Sequence, residues 1–177
     1  MNNFEPVAES TEALRAVFRR HASGVSVITL TDQNGKPAGF TATSMTSLGA
    51  NPPLATFNIS TGSSTWSALN SAKHVAIHTL GETNLELAQR MAADHTLRFA
   101  KDDWFSGPQG VPVFKDATAV LICEIRQIIP IENNAVVVLN VLEGMLGKED
   151  SALLYYQRHY MTPVSYTHLT LPTNREV

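Results

Sequence analysis

Apolar and polar positions first fall into a helical rhythm. Leu14, Val17, Phe18 and His21 stand at i, i+3, i+4 and i+7, and Ser10 or Thr11 can cap a first turn, so an amphipathic helix ending near Gly24 is predicted. The period then drops to two. Val25-Ser-Val-Ile-Thr-Leu-Thr31 alternates in β-branched residues, and Asp32-Gln-Asn-Gly-Lys-Pro37 holds an Asn-Gly pair that accepts positive φ, predicting a strand, a hairpin turn and a return strand over 38–45. Asn51-Pro-Pro53 interrupts the chain, because proline cannot donate to a ladder, and 54–59 resumes the strand pattern. Ser60-Thr-Gly-Ser-Ser-Thr65 then leads into a short helix opening at Trp66-Ser-Ala-Leu69. A strand is predicted over 73–80. Thr83-Asn-Leu-Glu86 has the capping-box spacing, and Leu87, Ala88 and Met91 form one face of a helix running to about Ala93. Residues 94–118 are irregular, with Gly107-Pro108 and Gly110-Val-Pro112, and strands over 119–128 and 135–142 and an apolar-aromatic stretch over 152–156 follow.

About seven strands with helices inserted rather than strictly alternating favour a closed β-barrel with helical decoration over a doubly wound parallel sheet. Periodicity does not carry strand order, and a sandwich would read much the same. With 177 residues, 44% of them hydrophobic, the chain is sized for one domain whose core needs no disulfide or structural metal, and its single cysteine, Cys123, has no intrachain partner. A net charge of −3 with scattered Lys and Arg argues against nucleic acid as a partner. Residues 1–10 hold two glutamates and no basic stretch leading into an apolar run, so no secretory signal is read and a cytoplasmic protein is expected. The longest strongly apolar runs, 119–123 and 135–139, are far below the roughly 20 residues of a membrane span, so no membrane association is expected.

The chain lacks Gly-x-Gly-x-x-Gly, a Walker loop, Gly-x-Ser-x-Gly and His-Glu-x-x-His, which removes support for Rossmann, P-loop, serine-hydrolase and zincin chemistry. His74 and His78 share one face of a predicted strand, but four residues there span about 13 Å, too far for a chelating pair. Cys123 in an apolar strand reads as a small core residue rather than a nucleophile, and no metal site is expected. Two hydroxyl-rich segments, Thr41-Ala-Thr-Ser-Met-Thr-Ser47 and Ser60-Thr-Gly-Ser-Ser-Thr65, adjoin strand ends. They suit surface turns, or an anion site in which hydroxyls and N–H groups at a helix start meet phosphate.

Taken together, Phe18-Arg-Arg-His-Ala-Ser-Gly-Val-Ser-Val-Ile-Thr29, Gly39-Phe-Thr-Ala-Thr-Ser-Met-Thr-Ser47, Pro52-Pro53 and Ser63-Ser-Thr-Trp66 resemble the flavin reductase-like family in order and spacing. Arg98-Phe99 with Trp104, Gly110-Val-Pro112, Cys123-Glu124 and Leu153-Leu-Tyr-Tyr156 extend the resemblance over about 11–160. It implies a mainly β split barrel that binds FMN or FAD, takes hydride from NADH or NADPH, forms a homodimer and supplies reduced flavin to a partner monooxygenase. Position by position, it implies that Thr43, Ser44, Met45, Thr46 and Ser47 line the isoalloxazine and ribityl chain, with Asn58 and Ser60 on the same wall. Ser63, Ser64 and Thr65 would meet the phosphate, and Arg98 with Phe99 would close that end. Trp66, Tyr155 and Tyr156 read as packing residues, the tyrosines of the barrel and dimer, and His21 as a helix-end residue.

The chain departs from the family pattern in three places. Where many members have Gly-Asp-His on the nicotinamide side, it reads Glu132-Asn-Asn134, so an amide that cannot change charge replaces an imidazole. That opens an alternative: a flavin storage, transfer or sensing protein without efficient NAD(P)H oxidation. His78 stands where asparagine is common, which would alter flavin contacts. Val164-Ser-Tyr-Thr-His-Leu-Thr-Leu-Pro-Thr-Asn174 resembles a translated sequencing adapter, so the domain is expected to be 1–163 and 164–177 a non-native tail.

Overall fold

The computed structural model describes residues 3–163; the expected tail at 164–177 lies outside them. Helix α1 (Ser10–Arg19) is followed by β1 (Ser23–Gly24), β2 (Ser26–Thr31), β3 (Pro37–Ala42), β4 (Thr46–Ala50) and β5 (Pro53–Ser60). Next come α2 (Trp66–Ser71), β6 (His74–Thr79), a single 3-10 turn (Glu82–Asn84) and α3 (Leu85–Ala92). The short strands β7 (Trp104–Ser106) and β8 (Pro112–Phe114) pair inside the stretch expected to be irregular. The long pair β9 (Ala119–Ile131) and β10 (Asn134–Leu146), then β11 (Leu154–Tyr156) and β12 (His159–Met161), complete the chain.

Seven strands form one sheet in the order β3-β2-β6-β9-β10-β5-β4, every pair antiparallel. Its outer strands, β3 and β4, do not pair with each other, so the closed barrel read from periodicity is replaced by an open, mainly β sheet compatible with a split barrel. Those two edges are consecutive in sequence, joined only by Thr43, Ser44 and Met45. Four Cα steps of 3.8 Å cover about 15 Å at most, so the sheet must curl until its edges face each other.

The concave side buries Ile28, Leu30, Phe57, Ile59, Val75, Ile77, Cys123, Val137 and Leu139, with Leu69 of α2 among them and Trp66 packed against them as expected. A second cluster joins Leu87, Ala88 and Met91 of α3 to Val25, Val27, Leu80, Phe114 and Leu153. Strand β2 is therefore buried on both faces from Ser26 to Leu30, and its buried Thr29 hydroxyl donates to Pro112 O. Gly39 of β3 is required by close approach: a Cβ there would stand 2.5 Å from Ile28 O and 2.9 Å from the Met91 Cε. Gly35 takes the positive φ of 76° expected of the Asn-Gly turn, braced by Asp32 Oδ1, which accepts from Asn34 N and Lys36 N.

Several predicted boundaries move for identifiable reasons. Helix α1 stops at Arg19, short of Gly24, because Ser23 and Gly24 pair with Tyr155 and Leu154. Its cap is Glu9, whose carboxylate accepts from Thr11 N and Glu12 N, rather than Ser10 or Thr11. The return strand ends at Ala42, not at residue 45, because the chain leaves one edge there to start β4 at the other. The expected Thr83–Glu86 capping box is not formed: Thr83 Oγ1 donates to Asp150, and Asn84 Oδ1 accepts from Gly81 N.

His78 is fully buried on β6. Phe114 N–H donates to its Nε2 at 3.1 Å, so the proton sits on Nδ1, which donates to Val27 O at 3.0 Å. The ring is a neutral pin between β2 and β8. Burial pushes its pKa down to about 4, opposed by the Val27 carbonyl. The unfolded chain takes up this proton near pH 6.5 and the folded one near pH 4, so stability falls as pH drops through that window. Urea unfolding from pH 7 to pH 4 will show the wild type losing about 3 kcal/mol more than His78→Asn; parallel profiles would refute the pin.

Candidate functional site

A groove of about 480 Å³ opens where the curled sheet fails to close. One wall is Phe40, Thr41 and Ala42 of β3 with Thr43 and Ser44 of the crossing, and the other is Asn58, Ile59 and Ser60 of β5 with Asn134 of β10. Ser63, Met91, Ala92 and Arg98 complete it. Arg98 is the one charged residue in this lining.

The crossing is held by a side chain doing the work of a strand. Register places Thr46 opposite Thr56, and continuing it backward puts Ser44 opposite Asn58, two residues before the start of β4. There the Ser44 hydroxyl accepts from Asn58 N at 3.0 Å and donates to Asn58 O at 3.2 Å. Across the groove, Thr41 Oγ1 donates to Ala88 O at 2.6 Å and fastens α3 to the β3 edge.

Arg98 Nη1 donates to Gly39 O at 2.7 Å and lies 3.3 Å from both Ser64 Oγ and Thr65 Oγ1, while Nη2 donates to Ala93 O at 2.9 Å. Partial burial pulls its pKa below the usual value, opposed by Asp94, and a guanidinium remains a cation at any working pH. The helix-start N–H groups contribute less than the sequence suggested. Ser63 N, Thr65 N and Trp66 N are bonded within the turn, to Ser60 O, Ser63 Oγ and Ser63 O. An anion here meets Arg98 and hydroxyls before it meets backbone.

Of the residues singled out from sequence, Thr43, Ser44, Asn58, Ser60, Ser63, Arg98 and Asn134 are brought together in the groove lining. Six are not. Met45 turns into the core, its sulfur 3.7 Å from Ser26 Oγ; Thr46 and Ser47 lie exposed on β4. Ser64 stands beside Arg98, and Thr65 is buried with its hydroxyl donating to Gly39 O. Phe99 stacks on Phe114 with ring centroids 5.6 Å apart and meets Trp104 edge-on, away from the opening. His78 also lies off the groove, at the β2–β8 pin. The sequence reading missed Met91 and Ala92 as wall residues, since nothing in a helix's apolar face announces which part covers a cavity rather than a core.

Asn134 opens β10 opposite Ser60. Its neighbour Asn133 acts through its carbonyl, which accepts from Thr61 N and Ser60 Oγ, so the side chain at 133 is free to differ. Burial raises the Cys123 thiol to about 12, which leaves it protonated and unreactive, in agreement with a core role. Among the described residues no group of three or more His, Cys, Asp or Glu could hold a metal ion, and no helix is long and apolar enough to cross a membrane.

With this geometry, a family model described as a flavin reductase like domain matches residues 18–163. The chain belongs to the flavin reductase-like family. Within it, the chain is 38% identical over 154 residues to an NADH:FMN oxidoreductase of Rhodococcus qingshengii, covering 84% of this chain and 80% of that protein. It is 29% identical over 150 residues to the reductase component of a flavin-dependent trigonelline monooxygenase of Acinetobacter baylyi, covering 85% of this chain and 48% of that one. The crystal structure of a flavin reductase domain protein from Arthrobacter sp. FB24 superposes with a TM-score of 0.84 at 45% identity, covering 88% of this chain and 96% of that chain.

The Ser44 bridge is directly measurable. Ser44→Ala will cost about 1 kcal/mol and speed hydrogen exchange of the Asn58 amide, leaving amides of the β9–β10 pair protected; unchanged Asn58 exchange would show that the crossing is held otherwise.

Proposed function

We propose that this protein is an NAD(P)H-dependent flavin reductase, which transfers hydride from reduced nicotinamide to FMN or FAD and supplies reduced flavin to a partner monooxygenase. The groove carries the reading. Its lining is apolar and hydroxyl-bearing with one cation, Arg98, set beside Ser63 and Ser64, a donor set that suits a flavin whose only charge is its phosphate. The name of the Rhodococcus relative describes the same activity, and that of the Acinetobacter relative the reductase component of a flavin-dependent monooxygenase.

When bound, the flavin supplies the hydride acceptor, so the protein needs no acid–base dyad and its task is orientation and charge balance. Arg98 neutralises the phosphate. Thr43, Ser44 and Ser60 offer hydroxyls, and Asn58 a carboxamide, along the wall where the ring and ribityl chain would lie. Met45, Thr46, Ser47, Thr65 and Phe99 serve this site indirectly, by fixing the crossing and the loop that present it. Asn134 sits on the nicotinamide side and acts by position alone, because its amide donates and accepts hydrogen bonds without titrating.

The same reading makes the protein a cytoplasmic homodimer whose domain spans 1–163. Helix α1 supports the dimer: none of its residues is buried, and Leu14, Val17 and Phe18 form an exposed apolar stripe. Sedimentation velocity will give a particle of twice the 19.3 kDa chain mass, and Phe18→Ser will shift it toward monomer; a wild-type monomer at micromolar concentration would remove the dimer.

Asn134 also motivates a second reading, a flavin-binding protein that stores, transfers or senses flavin. Nicotinamide absorbance separates the two. With NADH or NADPH, flavin-dependent oxidation well above a protein-free control is expected and would identify the preferred flavin and nicotinamide. Saturable flavin binding without oxidation would replace the reductase by the binding protein.

A further inference from the structure

Arg90 lies outside the groove, yet its guanidinium contacts the loop that carries Arg98 at two points, Arg98 itself and Asp103. Its side chain is 9% exposed on α3. Nη1 donates to the main-chain carbonyl of Arg98 at 2.6 Å, Nη2 pairs with the Asp103 carboxylate, and Nε lies 3.3 Å from Glu86 Oε1. The guanidinium also covers Phe114 at 5.6 Å from the ring centroid, and Phe114 stacks on Phe99. A buried cation costs more than an apolar side chain of similar size, so packing alone does not account for an arginine here. Its planar fork can hold a carbonyl and a carboxylate at once, which a lysine ammonium does with far less geometric control.

We propose that Arg90 is the positioning residue for the phosphate end of the groove. It fixes the Arg98 backbone from one side, so that the Arg98 guanidinium, spanning from Ala93 O to Gly39 O, stays aimed at Ser64 and Thr65. Arg90 therefore sets how strongly the site prefers a phosphorylated flavin over riboflavin, without itself touching the ligand. This rests on the flavin reading of the groove, with Arg98 on the phosphate.

The test is equilibrium titration of FMN and of riboflavin, by flavin fluorescence, into wild type, Arg98→Ala, Arg90→Met and Arg90→Lys. Losing one charge-assisted contact corresponds to about a tenfold change in Kd. Arg98→Ala should lower the FMN-to-riboflavin preference by at least about that factor. Both Arg90 variants should lower it by about tenfold, with riboflavin affinity held within about twofold, a selectivity that general loosening of the fold does not produce. If the Arg90 variants do not fold, Asp103→Asn, which weakens the anchor but leaves Arg90 in place, is expected to lower the same ratio. An unaltered ratio in the Arg90 variants (or in Asp103→Asn where it stands in), beside a collapsed ratio in Arg98→Ala, overturns the inference and spares the flavin reading. Equal loss of both ligands in the Arg90 variants overturns it too, reducing Arg90 to a structural residue. An unaltered ratio in Arg98→Ala overturns the phosphate role of Arg98 and the inference with it.

Discussion

The distance that three residues can span governs this molecule. Thr43, Ser44 and Met45 connect the two edges of a seven-stranded sheet, and a chain that short forces the edges to face each other. Twist brings them near, and without pairing between β3 and β4 the gap persists as a groove. An open edge exposes unpaired N–H and C=O groups, normally a liability. Here the Ser44 hydroxyl satisfies both backbone groups of Asn58, and the groove wall is finished without closing the barrel. Site and fold share one origin: the binding surface is the seam.

What lies over the seam is fastened by polar contacts from a second layer. Thr41 ties α3 to the β3 edge, His78 pins β8 to β2, and Arg90 fixes the loop after α3. Each is a buried or half-buried polar group hydrogen-bonded to a second segment of the chain, which is what makes it directional. Apolar packing by the second cluster would hold α3 against the sheet with some freedom to slide. The hydrogen bond to Ala88 O removes that freedom at the β3 edge, beside the groove. The chemistry proposed for the groove asks for little else, since a flavin carries its own reactivity and the protein contributes placement and one neutralising charge.

The comparison between sequence and structure divides along the range of the interactions. Local patterns were legible: β-branched alternation located β2, β5, β6, β9 and β10, and the Asn-Gly turn placed Gly35 at positive φ. The order of family-like segments located Ser44, Ser63 and Arg98 in one site, and these meet in or beside the groove. The missing motifs removed support for several side-chain chemistries, and the flavin came from the family resemblance. All of these depend on neighbours within a few residues, or on the linear order of motifs.

Tertiary structure alone decided the rest. Helix α1 ends early because Gly24 pairs with Leu154, 130 positions away in the numbering, and the return strand ends early because the opposite edge is waiting for Thr46. Met45 and Phe99 sit in hydroxyl-rich or cationic sequence contexts but turn inward to the apolar contact that the curled sheet and the Phe114 ring offer, and Thr65 turns inward to donate its hydroxyl to Gly39 O. Arg90 reads as an ordinary charge on an amphipathic helix, and only the fold returns the loop over it. A single sequence determines which residues favour a strand, a turn or a bound anion. Which of them face the same gap is set by strand order and curvature, and those arise from pairings between segments that carry no mark of each other.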